Sequence, residues 1–124
     1  MAAQALLDYE SLTDLELAGY FAAKDVRAVR LVTARNNQRL FRTAWSILKN
    51  RSEAEDVVQE TYLRALGAIG RFEGRSSLST WLTRIAINEA LTRKRAQQRR
   101  ANAFNEKSVL VMEEYREKLL GSPE

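Results

Sequence analysis

The clearest structural signals in the chain lie in FEGRSSLSTWLTRIAINEALTRKRAQQRR, residues 72–100. It opens with a phenylalanine in a loop rich in Gly and Ser, continues with apolar residues at helical spacing and ends in a cluster of arginines. Ser77 is a candidate N-cap, and no Gly or Pro interrupts the segment that follows it. The sequence therefore predicts a helix over 78–100, whose buried stripe is Leu78, Trp81, Leu82 and Ile85.

Upstream of this segment the sequence predicts three more helices. The pair Thr13 and Glu16 forms a capping-box pattern, Asp25 is a candidate cap, and Ser52 with Glu55 forms a second capping box. The predicted helices cover residues 14–23, 26–48 and 53–69. No strand pattern and no internal repeat is present, so the predicted fold class is all-α, a compact helical bundle.

Composition narrows the functional classes. A chain of 124 residues has enough sequence for one hydrophobic core. It contains no cysteine and no histidine, which removes disulfides, thiolate metal sites and the commonest general base. No apolar run approaches the roughly 20 residues needed to cross a bilayer. We therefore expect a cytoplasmic protein that is not an enzyme and has no membrane partner.

Positive charge is concentrated in the second half of the chain. Residues 61–124 carry twelve Lys and Arg against seven acidic residues, whereas residues 1–60 carry eight against nine. No acid occurs between Ala90 and Asn105, where five cations lie together: Arg93, Lys94, Arg95, Arg99 and Arg100. Such a cluster favours a polyanionic partner, most often nucleic acid. The alternative is a solvated helix end, since cations stabilise a helix C-terminus.

The outward side of the third predicted helix has an unusual composition. At about 100° per residue, four side chains fall opposite the apolar face: Asp56, Gln59, Glu60 and Leu63. A leucine ringed by two carboxylates and an amide is typical of a polar-rimmed docking patch. The alternative is a solvated acidic face. The two carboxylates are expected on an exposed helix surface, with no third ligand in sight and nothing to shield them from water, so we predict no metal site.

The loop and the basic helix together suggest contact with unpaired nucleic acid. Phe72 either closes the end of the bundle or offers a stacking face, and a cationic track beside an aromatic ring favours the second role. Asn88 has the donors and the acceptor needed to contact a base edge, although it can equally bond local backbone. Arg84, one turn earlier, can bind phosphate without reading sequence.

These residues resemble a known family. The chain shows Asp56-Val57-Val58-Gln59-Glu60, then Phe72-Glu73-Gly74-Arg75-Ser76, then Trp81-Leu82-Thr83-Arg84-Ile85-Ala86-Ile87-Asn88, followed by the basic tail. This ordered set resembles region 2 of the bacterial sigma-70 family, in particular its extracytoplasmic-function (ECF) group. The resemblance covers about residues 12–100, and the upstream run RLFRTAWSILKNRSEAED, residues 39–56, also fits.

The resemblance implies partners and roles. A domain of this kind docks on the clamp helices of the largest subunit of core RNA polymerase, and it recognises and opens the promoter −10 element. The implied polymerase contacts are Asp56, Gln59, Glu60 and Leu63. The implied pocket for a base flipped from the non-template strand comprises Ala68, Phe72, Gly74, Ser76, Ser77 and Asn88. The implied DNA-backbone contacts are Arg75, Arg84, Arg93, Lys94, Arg95, Arg99 and Arg100. No cofactor is implied.

The resemblance also predicts how the chain is organised. Residues 1–11 are predicted to be a flexible N-terminus, 12–100 the region 2 domain, and 101–124 the start of an interdomain linker. The second domain of the family, which reads the −35 element, is not in this sequence, so we expect a truncated chain, the alternative being a natural single-domain variant. Two alternatives stay open: a generic helical nucleic-acid-binding module, and an interaction module held by an anti-sigma protein.

Overall fold

The computed structural model describes residues 7–121, and within that range the chain forms four α-helices and no strand. They are α1 (Asp14–Ala22), α2 (Val26–Leu48), α3 (Arg51–Ala68) and α4 (Leu78–Leu120). Short 3-10 helices cover Tyr9–Ser11 and Ile69–Arg71. The all-α fold class is confirmed. No helix in the described part is long and apolar enough to cross a membrane.

Side-chain caps set the starts of the first three helices. At α1 the Glu16 N–H donates to Thr13 Oγ1 at 3.1 Å while Glu16 Oε1 accepts from the Thr13 N–H at 2.9 Å, which confirms the predicted capping box. Asp25 caps α2 as predicted, because its Oδ1 accepts the N–H of Ala28 at 3.0 Å. These hydrogen bonds hold the pKa values of the Glu16 and Asp25 carboxyls below their usual range.

The predicted cap of the third helix is wrong. The N-cap of α3 is Asn50, whose Oδ1 accepts the N–H of Glu53 at 2.9 Å, and Ser52 lies inside the helix. Asn50 has the extended φ and ψ that an N-cap requires. Glu55, the other half of the predicted capping box, instead pairs with Arg51 at 3.1 Å. Both residue pairs fit the sequence pattern, and the tight connection after α2 selects the earlier one.

The end of the last helix was also predicted wrongly. The helix does not stop at residue 100 as predicted, but continues to Leu120. No Gly or Pro lies between Leu78 and Leu120, and the residues around 100 are adequate helix formers. Gly121, with a positive φ of 71°, follows the last helical turn, and its N–H donates to the carbonyl of Glu117.

The chain divides into two units, Met1–Leu91 and Thr92–Glu124. The first contains the hydrophobic core, and small residues contribute much of it. Six alanines have no exposed surface, and a side chain of one methyl group lets helix backbones approach closely. They are Ala28, Ala44, Ala54, Ala65, Ala86 and Ala90. The larger core side chains include Leu17, Phe21, Val32, Leu40, Val57 and Leu82.

The second unit is helical as far as Leu120. Its larger apolar side chains are exposed, among them Phe104, Val111, Met112, Tyr115 and Leu119. The predicted boundary at residue 100 and the linker role of 101–124 stay predictions. At the other end, residues 1–6 of the predicted flexible N-terminus lie outside the described residues. Residues 9–11 form a 3-10 helix, and the Tyr9 hydroxyl donates to Asp25 Oδ2 at 2.9 Å.

Candidate nucleic-acid and protein interfaces

The loop before α4 is fixed at its end by two polar side chains. Ser77 is the predicted N-cap, and its Oγ accepts the N–H of Thr80 at 3.0 Å. The N–H of Leu78 donates to Asp14 Oδ2 of α1 at 2.8 Å, a contact between residues 64 positions apart. Two otherwise unpaired donors of the first turn are thereby satisfied. The start of α4 is thus positioned by its own cap and by α1.

Gly74 gives the loop its turn. Its φ is +75°, in the left-handed region where a side chain is strained. A Cβ at this position would lie 3.8 Å from Leu15 Cδ1, an ordinary van der Waals contact. The backbone conformation, and not lack of space, therefore favours glycine here.

An open cavity of about 360 Å³ lies where the loop meets α4. Its lining residues are Arg71, Phe72, Glu73, Arg75, Ser76, Trp81 and Arg84. The rings of Phe72 and Trp81 pack against each other in a tilted arrangement with centroids 5.5 Å apart. Phe72 is only 7% exposed. The aromatic pair therefore forms an apolar wall, and polar and charged side chains surround it.

The cavity chemistry suits a planar, hydrogen-bonding ligand. Three arginines contribute donors only, whereas Glu73 and the Ser76 hydroxyl contribute acceptors. Arg75 Nη2 lies 3.4 Å from Glu73 Oε2, and both side chains are largely exposed, so this pair is easily rearranged. The site resembles the combination of cation and aromatic surface that binds unpaired nucleotides.

The structure divides the predicted base-pocket residues into two groups. Phe72 and Ser76 line the cavity, together with Arg75 and Arg84, which were predicted as backbone contacts. The other four are not among the lining residues: Ala68, Gly74, Ser77 and Asn88. Asn88 is exposed on α4, and Ala68 is half-buried at the end of α3.

Three residues that line the cavity were not predicted from the sequence as site residues: Arg71, Glu73 and Trp81. Trp81 was interpreted as core, and it is indeed half-buried, but one side faces the cavity. Its position one turn before Arg84 was a usable signal, because residues three apart share a helix face. The remaining predicted cations, Arg93, Lys94, Arg95, Arg99 and Arg100, belong to the second unit, where all but Arg93 are exposed.

The outward face of α3 is the second candidate surface. Asp56, Gln59 and Leu63 are exposed as predicted, and Leu63 retains 64% of its surface. Glu60 lies among them with its side chain 35% exposed. On the opposite side of the helix Thr61 is buried, and its hydroxyl donates to the Val57 carbonyl. The sequence-based assignment of inner and outer faces is therefore confirmed.

Glu60 takes part in an ion-pair group that the sequence did not reveal. Arg64 Nε lies 3.2 Å from Glu60 Oε2 and 3.1 Å from Glu89 Oε2 of α4. The pair within α3 has the i, i+4 spacing, which the sequence does contain. The second pair depends on how α3 packs against α4, so only the structure shows it.

A metal centre has little support in this fold. The described residues contain no group of three or more side chains placed to hold a metal ion. The sequence also contains no His or Cys. The two candidate surfaces differ in chemistry: one is acidic with an apolar centre, and the other is cationic and aromatic.

Comparisons with known proteins agree with these features. The Sigma-70 region 2 family matches residues 32–100, more than half of the chain. The RNA polymerase sigma-H factor of Pseudomonas aeruginosa is 35% identical over 77 residues, covering 62% of this chain and 40% of that protein. The ECF RNA polymerase sigma-E factor of Haemophilus influenzae is 35% identical over 91 residues, covering 73% and 48%. The chain thus spans less than half the length of these relatives.

A solved structure matches as well. It is an NMR structure of an engineered region 2 of sigmaE in complex with GTAAAA. The two are 33% identical with a TM-score of 0.62, and the match covers 73% of this chain and 95% of that one. The matched family covers α3, the cavity loop and the start of α4, which carry both candidate surfaces. The chain belongs to the sigma-70 region 2 family, within its ECF group.

Proposed function

We propose that this domain binds core RNA polymerase through the outward face of α3 and captures an unpaired base of the promoter −10 element in the cavity before α4. The observation that carries the proposal is the coexistence of two chemically opposite surfaces within one small unit. An acidic face with a 64% exposed leucine suits a protein partner, and an arginine-lined aromatic cavity suits nucleic acid. The proposed setting is transcription initiation in the cytoplasm.

The α3 face has the composition of a docking surface. Leu63 supplies apolar area at the centre, and Asp56 and Glu60 supply negative charge around it. The complementary partner is a surface with basic side chains and an apolar recess, which we propose is the clamp-helix element of the largest polymerase subunit. Because the four side chains lie on one regular helix, we expect binding to require no change in the α3 backbone.

The cavity supports base capture for a different reason. Extruding a base from duplex DNA costs a few kcal/mol in lost stacking and pairing, which contacts in a pocket must offset. The Phe72–Trp81 pair offers apolar surface to a base plane, and the donors of Arg71, Arg75 and Arg84 can reach base edges or phosphates. Stacking on an aromatic side chain contributes roughly 1–3 kcal/mol per base. The basic residues of the second unit add sequence-independent attraction to the phosphate backbone.

Capture of purified core RNA polymerase is the deciding experiment. Wild-type domain is compared with Glu60→Lys and with Glu55→Lys, a matched reversal on the same helix. Glu55 is about 140° around the helix from Glu60 and already pairs with Arg51. We expect Glu60→Lys to lose about thirtyfold or more in affinity, since reversing a charge at a complementary interface removes attraction and adds repulsion. Glu55→Lys should bind like the wild type.

Two results contradict the docking assignment: undiminished affinity of Glu60→Lys, or equal losses in both variants. Circular dichroism shows whether each variant is folded. If the folded wild-type domain captures no polymerase, the better explanation is a helical nucleic-acid-binding module without a polymerase partner. A soluble anti-sigma protein is a further proposed partner, and competition with core polymerase for wild-type domain tests it.

A further inference from the structure

Arg64 joins the outward face of α3 to α4. Its Nε lies between two carboxylates, 3.2 Å from Glu60 and 3.1 Å from Glu89. The three side chains differ in exposure: 57% for Arg64, 35% for Glu60 and 12% for Glu89. The group therefore runs from a nearly enclosed carboxylate on α4 to a docking-face carboxylate on α3.

The differences in exposure indicate which of the three side chains restrains the others. Glu89 has few positions open to it, since most of its side chain is enclosed by the protein. Arg64 is attracted to this fixed charge, and its delocalised guanidinium can serve a second carboxylate at the same time. Glu60, one turn earlier on α3, is held by the arginine in turn. An arginine paired only to Glu60 would leave both long side chains free to move together.

We propose that Arg64 and Glu89 are positioning residues for the docking face: they hold the Glu60 carboxylate in the orientation that binds polymerase, without contacting polymerase themselves. The inference rests on the proposed function, because it requires Glu60 to contact the polymerase. It also explains why an acidic residue lies on α4 only a few positions before a segment of five cations and no acid.

The competing explanation is that the group only fastens α3 to α4. The two explanations predict different couplings. If the group only fastens α3 to α4, Glu89→Gln lowers the stability of the domain and thereby weakens binding by the same factor, whatever residue is at position 60. A positioning role acts only when a carboxylate is present at position 60. A double-mutant cycle between positions 60 and 89 separates them.

The test measures core polymerase affinity for the wild type, Glu60→Gln, Glu89→Gln and the double variant. We expect Glu89→Gln alone to weaken binding about threefold, the scale of a partly exposed ion pair. In the Glu60→Gln background the same change should have no effect. Glu55→Gln removes the same charge from α3 outside the docking face, so its affinity should match the wild type.

An NMR measurement on the free domain tests the inference without polymerase. The Nε–Hε resonance of Arg64 should shift in Glu89→Gln and in Glu60→Gln, and the Glu60 carboxyl resonance should respond to Glu89→Gln. An Arg64 resonance that is indifferent to Glu89→Gln overturns the inference. So does an equal threefold loss in both backgrounds, or no loss in either. Failure of the wild type to bind polymerase, or of Glu60→Gln to weaken binding, contradicts the proposed function itself.

Discussion

The two candidate surfaces place their apolar residues in opposite environments. Leu63, at the centre of the α3 face, is 64% exposed, whereas Phe72, beside the cavity, is 7% exposed and packs against Trp81. The first residue contributes almost nothing to the core, and the second belongs to it. The α3 face can therefore change with little effect on the fold, whereas the cavity wall cannot, because it is also part of the bundle.

The surfaces differ equally in how their geometry is set. The α3 face follows from helix periodicity, since residues 56, 59, 60 and 63 lie on one side of any regular helix. The cavity requires a 3-10 turn, a left-handed glycine and the start of α4, which is anchored to Asp14 far away in the sequence. The cavity is therefore more sensitive to distant substitutions than the helix face.

The largest expected difference between the two surfaces is in how much a substitution there changes the stability of the domain. Phe72→Ala should lower the free energy of unfolding by about 3 kcal/mol, because it removes a buried ring and leaves a cavity against Trp81. Leu63→Ala should change it by less than about 0.5 kcal/mol. Urea denaturation followed by circular dichroism measures both. Similar values for the two variants would mean that the exposures of these residues do not determine their contributions.

The next effect is on polymerase binding, where the order should reverse. Leu63→Ala should lower the affinity for core polymerase about tenfold, since a central apolar residue of an interface is worth about 1–2 kcal/mol. Phe72→Leu, which keeps the bundle closed, should bind like the wild type. Equilibrium titration of labelled domain with core polymerase measures both affinities. A loss with Phe72→Leu as large as that with Leu63→Ala would show that the two surfaces are not independent.

A smaller effect tests base reading on α4. Asn88→Ala should weaken binding to a single-stranded −10 sequence by about 1 kcal/mol, the lower end for a base contact, and leave random single strands almost unaffected. Arg99→Ala is the control. If Arg99 contacts phosphate, its loss should weaken binding to the −10 sequence and to random single strands equally and reduce the salt dependence. Fluorescence anisotropy at several salt concentrations measures these affinities. Equal losses for Asn88→Ala on both strands would exclude base reading by this residue.

The last prediction concerns Tyr62 on α3, and its effect appears only in alkaline solution. Burial raises the pKa of Tyr62 to about 12, and its hydroxyl donates to Asn37 Oδ1. Above pH 10 the unfolded chain loses this proton while the folded chain keeps it, so stability falls as pH rises from about 10 to 12. Tyr62→Phe should make the alkaline loss shallower than in the wild type. Tyr115→Phe, at an exposed position, is the control, and unfolding at pH 9, 10, 11 and 12 measures the slope.

Sequence patterns predicted the helices well where local chemistry decides them. The caps at Thr13, Asp25 and Ser77 were confirmed, and so was the range 26–48, because each depends on contacts within one turn. The same reasoning failed at Ser52, where two overlapping patterns satisfied the same rule and Asn50 is the cap. It failed again at residue 100, where the helix was predicted to end after the basic cluster, although the residues that follow are helix formers and the helix continues to Leu120.

In the candidate sites, too, features set within one helix could be predicted from the sequence, and features set by contacts between helices could not. Exposure of Leu63 could be predicted from periodicity, because the face of a helix is a local property. Burial of Phe72 could not be decided from sequence, because it depends on Trp81 and on the position of α4. The contribution of Trp81 to the cavity has the same origin. Pairing of Arg64 with Glu89 joins residues 25 positions apart on different helices, a distance that no local pattern covers.

Local sequence was enough to predict the helical class, most helix starts, the outward acidic face and the separation of charge along the chain. All four follow from interactions within a few residues or from simple counting. Helix packing, in contrast, sets which aromatic rings form the cavity wall, which arginines line it and which carboxylate on α4 pairs with Arg64. These depend on where the helices cross, and the crossings are set by the close packing of side chains from all four helices, including the small alanines of the core.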